Sequence, residues 1–165
     1  MIRRVNLLIS AICLVALVFI AGAPSSQVVA KEFRPFRGNG EAVWDNILNG
    51  LFAPPANFSG EIQVTHMGRS AQRGTLFLQP PNPNTGIAPG RGSVTFTAAN
   101  GDTLSFDYLG ELNSLTGEGK GTFTITGGTG RFASAAGGGT FRALIDLTRS
   151  ANQPMSVRLD GRISY

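Results

Sequence analysis

From residue 58 onward, apolar and polar side chains alternate with a period of two. Ile62, Val64 and His66 share one face, with Glu61, Gln63 and Thr65 on the other. Val94, Phe96 and Ala98 alternate with Thr95 and Thr97, and Leu104, Phe106 and Tyr108 with Ser105 and Asp107. The same rhythm places Gly121, Phe123 and Ile125 on one face, then Phe141, Ala143, Ile145 and Leu147, then Met155, Val157, Leu159, Gly161, Ile163 and Tyr165. One apolar and one wet face per segment is the pattern of half-buried antiparallel strands. Asn100-Gly101-Asp102 predicts a hairpin turn, because Asn and Gly accept the positive φ that twisted hairpins need. Residues 79–92 carry Pro80, Pro81, Pro83 and Pro89 and predict a long polar loop that cannot be a central strand. Adding residues 38–45 and 75–79 brings the strand count to eight. The expected fold is therefore all-β, a single eight-stranded antiparallel β-barrel, since closure removes unpaired edges.

The N-terminal part departs from this rhythm. Arg3 and Arg4 precede an almost wholly apolar run over residues 7–23, and Val28-Val29-Ala30 supplies small residues ahead of Lys31. That layout predicts a secretory signal peptide over residues 1–30, cleaved near Ala30, and a secreted or periplasmic domain. An uncleaved anchor is the alternative. In residues 40–52, Val43, Trp44, Ile47, Leu48 and Leu51 fit either a short amphipathic helix or a first strand followed by a turn. The expected organisation is a leader over 1–30, an N-terminal strand or helix with linker over 31–57, and the barrel over 58–165.

Composition narrows the chemistry. Fourteen Lys and Arg stand against ten Asp and Glu, a net +4, and removing residues 1–30 takes away two arginines and leaves +2. So weak a charge does not make a nucleic-acid binder. The one cysteine, Cys13, lies in the leader, so the remaining chain has no disulfide and no thiolate. With one histidine, His66, a multi-His metal site is excluded within one chain. No metal and no cofactor are expected. Twenty-two Gly and nine Pro favour turns over helices.

The most distinctive stretch covers residues 127–139. Gly128-x-Gly130-x-x-Ala133 formally matches a dinucleotide fingerprint, with Asp146 downstream. The fingerprint needs a helix after the turn, and Gly137-Gly138-Gly139 ends any helix at once. A structural corner fits better. Gly127, Gly128 and Gly130 permit positive φ, Phe132 turns inward to plug one barrel end, and Gly137 onward lets the next strand bend or bulge. The pattern Gly-Gly-Thr-Gly-x-Phe-x-x-Ala-x-Gly, residues 127–137, resembles the signature of the dirigent and allene oxide cyclase superfamily. It looks closest to secreted bacterial relatives described as allene oxide cyclase barrel-like. Residues 121–126, 97–104 and 65–69 are similar to those relatives too. The resemblance implies an eight-stranded antiparallel barrel with an apolar cavity, often assembled as a homo-oligomer. It carries over no catalytic residue, because the motif belongs to the scaffold.

His66 is the chain's one histidine, the residue type best suited to proton transfer near neutral pH, and it is the weak candidate for that role if the barrel is an enzyme. If it follows Ile62 and Val64 it points into the barrel; otherwise it holds the turn at residues 67–69 by a hydrogen bond. His66, Phe96, Phe106, Tyr108, Phe123 and Phe141 are the candidate pocket residues, which either fill a small barrel or line a cavity. Arg142, Asp146, Arg158, Asp160 and Arg162 read as exterior cross-strand ion pairs. The function expected is a small exported module that binds an apolar ligand or a protein partner. Alternatives are an isomerase or cyclase of the allene oxide cyclase type, and a small outer-membrane barrel, suggested by the terminal aromatic strand ending at Tyr165. In the other readings only the leader meets a membrane.

Overall fold

The computed structural model describes residues 31–44, 55–149 and 152–165. Eight strands follow in chain order: β1 Arg34–Trp44, β2 Ala56–Val64, β3 Gly68–Leu78, β4 Ile87–Ala98, β5 Thr103–Asn113, β6 Glu118–Gly128, β7 Ala136–Ile145 and β8 Pro154–Ser164. Each pairs antiparallel with its neighbours in sequence, and β8 returns to pair with β1. The barrel is closed and has no free edge. The expected leader, residues 1–30, lies outside the described residues.

The inward residues follow the period-two pattern. Phe36, Ala42 and Trp44 point in from β1, Phe58, Ile62 and Val64 from β2, Phe96 from β4, and Leu104 and Phe106 from β5. Phe123 and Ile125, then Ile145, then Met155, Leu159 and Ile163 complete the core from β6, β7 and β8. Each fully buried side chain of this size contributes about 1.5–3 kcal/mol. Inward glycines make room for the rings. A Cβ on Gly74 would collide with the Phe58 ring, and one on Gly92 with the Thr75 carbonyl and the Tyr108 hydroxyl.

Several boundaries differ from the sequence reading. The barrel begins at Arg34 rather than at residue 58, because β1 supplies both neighbours needed for closure. Residues 40–44 are strand, and the remainder of the segment that could have been helix lies outside the described residues. β3 starts at Gly68, well before residue 75; its inward residues Ser70 and Gln72 are polar yet buried, and so hide the alternation. The proline-rich loop is shorter than expected, and Pro89 lies within β4. Pro89 sits beside the end of β3, where its carbonyl accepts from Gln79 N at 2.9 Å. Its missing N–H therefore faces a ladder that is already ending.

The two barrel ends differ. The corner end gathers the start of β1, the turns at residues 65–67 and 99–102, the segment 129–135, and Tyr165. Phe132 is fully buried there and packs on Tyr165 with ring centroids 5.1 Å apart. Gly130 takes φ +55° at the start of a single 3-10 turn, Gly130–Phe132. Gly127 and Gly137 take φ +125° and +145°. Gly128, which the sequence reading also placed at positive φ, does not take it. The irregularity in register lies in β6, where Ser105 pairs with Gly127 and Phe106 with Ile125, leaving Thr126 as the extra residue. Gly137–Gly139 stay in regular register with β6 and β8.

The outer wall is charged around its circumference. Arg37, Glu61, Arg69, Asp107, Lys120, Arg142, Arg158 and Asp160 are all exposed. A lipid-facing barrel needs an apolar outer band, so the outer-membrane alternative fails. Strand length does not decide it, since the strands run 9 to 12 residues. The expected ion pairs of the last strands are also rearranged. Asp160 pairs with Arg37 of β1 at 3.8 Å, and Asp146 with Arg149 in its own loop at 3.5 Å. Arg142 and Arg158 face each other across the β7–β8 ladder.

Candidate functional site

The opposite end of the barrel contains an apolar cavity of about 80 Å³. Trp44 and Phe58 wall it from β1 and β2, Phe96 from β4, Phe106 and Tyr108 from β5, and Phe141 from β7. These rings interlock. Phe96 meets Phe106 edge-on at 4.9 Å, Tyr108 meets Phe141 at 5.5 Å, and Trp44 meets Phe58 at 5.1 Å. Gly90, Gly110, Gly119 and Ala143 also line it.

Polar side chains on this wall are few. The Tyr108 hydroxyl donates to Thr75 O at 2.8 Å, and burial pushes its pKa well above that of an ordinary phenol. The Gln72 amide donates to the Glu41 and Glu61 carbonyls at 2.9 and 3.3 Å. Glu111 lines the cavity and pairs with Lys120 at 3.2 Å; its side chain is 43% exposed. Among the described residues, no three His, Cys, Asp or Glu side chains are grouped to hold a metal ion.

Of the six residues expected in a pocket, Phe96, Phe106, Tyr108 and Phe141 line this cavity. Phe123 is buried deeper, packed between Phe36 at 5.8 Å and Phe106 at 5.3 Å, and does not line it. His66 is not in the barrel. The chain reverses at residues 65–67, and His66 takes φ +70° in that turn, so it leaves the face defined by Ile62 and Val64. Its Nε2 lies 2.9 Å from Pro35 O, its ring meets Tyr165 at 5.7 Å, and its own carbonyl accepts from Arg131 at 2.6 Å. A Nε2 bonded to a carbonyl must carry the proton. His66 therefore ties the turn to β1 and the corner, at the far end from the cavity.

Trp44, Phe58 and Gln72 are cavity residues outside the expected set. Trp44 and Phe58 could have been found. The run Phe36-Gly38-Gly40-Ala42-Trp44 is itself a period-two face, with glycines in place of side chains. Gln72 gives no sequence signal, since a polar residue at an inward position looks like solvent-facing strand.

Two of the solved structures that resemble this chain are dirigent proteins. One is the pterocarpan synthase dirigent protein PsPTS1, 18% identical, with a TM-score of 0.46 over 81% of this chain and 96% of that one. The other is the pterocarpan synthase dirigent protein GePTS1, 15% identical, with a TM-score of 0.45 over 82% and 86%. No protein-family model matches the sequence, and no curated protein does. The fold itself rests on the strand order and register described above.

A larger groove, about 840 Å³, runs along the outer wall past Glu41, Glu111, Glu118, Lys120, Arg142 and Arg158. Its charges are mixed and its floor is solvent-exposed sheet, so it offers no desolvated site.

Proposed function

We propose that this chain is an exported binding module that holds a small, uncharged, lipophilic molecule in the cavity at the barrel end opposite the corner. The observation that carries this reading is the cavity wall. Six aromatic rings and several aliphatic side chains surround the cavity, and the Tyr108 hydroxyl, the Gln72 amide nitrogen and the Glu111 carboxylate are engaged with the protein. Burying apolar ligand surface there is favourable, whereas a charged group would lose its hydration without a partner. The size is modest, since an engineered cavity that admits benzene measures about 150 Å³. Export rests on the leader pattern of residues 1–30.

The wall offers a substrate shape and few groups for proton transfer. Tyr108 holds its proton against loss, Glu111 is paired at the rim, and His66 stands at the other end. We therefore favour binding over isomerisation. Mass spectrometry of protein recovered from outside the cytoplasm tests this. A small neutral lipophile that co-purifies and stays unchanged on incubation is expected. Conversion of that molecule by the purified protein would overturn the reading in favour of an isomerase.

A further inference from the structure

Gln72 points inward from β3, between Gly60 of β2 and Phe96 of β4, and is 2% exposed. It lines the cavity. Its amide nitrogen donates to two backbone carbonyls of the wall, Glu41 O at 2.9 Å and Glu61 O at 3.3 Å. Carbonyls only accept, so these partners fix which end of the amide is nitrogen. The amide oxygen diverges from the nitrogen and so turns away from those carbonyls. Among the described residues it accepts no hydrogen bond. Nor is it sealed off. Among the described residues, the side-chain atoms that lack both a partner and open surface are Trp44 Nε1 and Gln153 Oε1. Gln72 Oε1 therefore keeps open surface, and the open space that its side chain borders is the cavity. A buried acceptor without a donor is costly to keep, and such groups in folded proteins call for an explanation. A water held there would need two to four polar partners, and the Tyr108 hydroxyl and the Glu111 carboxylate are already engaged.

On the cavity-binding reading, we infer that the ligand is a small, mainly apolar alcohol, whose one hydroxyl donates to Gln72 Oε1. A hydrocarbon of the same shape fills the space but leaves that oxygen unpaired. A ketone or ether sets a second acceptor against the first, and turning the amide round to meet it gives up both wall carbonyls. An ammonium group would supply the donor but bring a charge that the apolar wall cannot solvate.

Cyclopentanol and methylcyclopentane have nearly the same shape and differ in O–H against CH₃. Calorimetry gives their dissociation constants for the parent protein and for Gln72→Met, which keeps the length of the side chain and removes the acceptor. The ratio of the two constants is expected to shift about tenfold against the alcohol in Gln72→Met, as loss of one hydrogen bond requires. Comparing ratios cancels the different hydration of the two probes. Carbon-13 NMR gives a second reading in the parent protein. The Gln72 side-chain carbonyl carbon, assigned through bonds from its own backbone, is expected to move downfield with cyclopentanol and not with methylcyclopentane. It decides the matter even if Gln72→Met fails to fold. Should both probes bind while that carbon ignores the alcohol, or the ratio stay the same in a folded Gln72→Met, the hydroxyl claim falls and the cavity reading stands. Should neither probe bind, the cavity reading itself falls and this inference with it.

Discussion

Tyr108 shows how a single side chain depends on its neighbours. Its ring fits because Gly92 across the ladder has no Cβ, and its hydroxyl then reaches Thr75 O. Tyr108→Phe leaves that carbonyl short of a donor, and a loss of about 1 kcal/mol in unfolding free energy is expected from denaturant titration. The phenol also links stability to alkaline pH. Its folded pKa lies above the unfolded value of about 10, so the folded state keeps the proton longer. The stability this gives is present below about pH 10 and is lost as pH rises toward the folded pKa. Melting curves of Tyr108→Phe should therefore fall less steeply than those of the parent above about pH 10; parallel falls would mean the phenol is not buried in solution. At this scale the sequence shows its aromatic residues clearly, because Phe96, Phe106, Tyr108 and Phe141 each sit in an unbroken alternation. It hides Trp44 behind inward glycines and Gln72 behind its polarity. His66 misleads for a different reason: two residues of turn are enough to carry it off the face its neighbours define.

Among the elements, the β6–β7 corner is the most sharply specified. A side chain at Gly130 would strike the Asp102 carboxylate and would hold φ +55° against its preference. Gly130→Val is expected to destabilise the fold by about 2 kcal/mol or more, read as a lowered melting temperature. An unchanged melt would place the strain elsewhere. The corner is tied down from several sides. Thr129 exchanges hydrogen bonds with Thr103 at 2.9 and 3.0 Å, Arg131 reaches the His66 carbonyl, and Lys31 reaches Ser134 O at 2.8 Å. Because His66 belongs to this end, His66→Asn, which tolerates its positive φ, should change the affinity of a cavity ligand by less than about threefold. A larger loss, measured by calorimetry, would link the two ends of the barrel. Turn chemistry made the corner legible in the sequence. The start of β3 was not legible, because the inward Ser70, Gln72 and Gly74 leave no apolar face to read, and Pro89 disguised the start of β4 as loop.

For the whole molecule, polarity separates readings that periodicity cannot. A soluble barrel and a membrane barrel alternate alike, and only the direction of the charged face distinguishes them; here Arg142, Arg158 and their neighbours point outward. Export is a separate matter, resting on residues 1–30. N-terminal sequencing of protein recovered outside the cytoplasm should begin near Lys31, and intact Met1 in a membrane fraction would contradict cleavage. The central claim is that the cavity at the barrel end opposite the corner binds a small lipophile. Ala143 lines the cavity from β7, and Ala143→Leu adds three carbons to space of only about 80 Å³. The most direct test is a calorimetric titration of parent and Ala143→Leu with methylenecyclopentane, with melting curves to confirm that both are folded. Saturable binding by the parent, weakened about tenfold or more in Ala143→Leu, is the expected result. No saturable binding by the parent, or equal binding by a folded Ala143→Leu, would contradict the account.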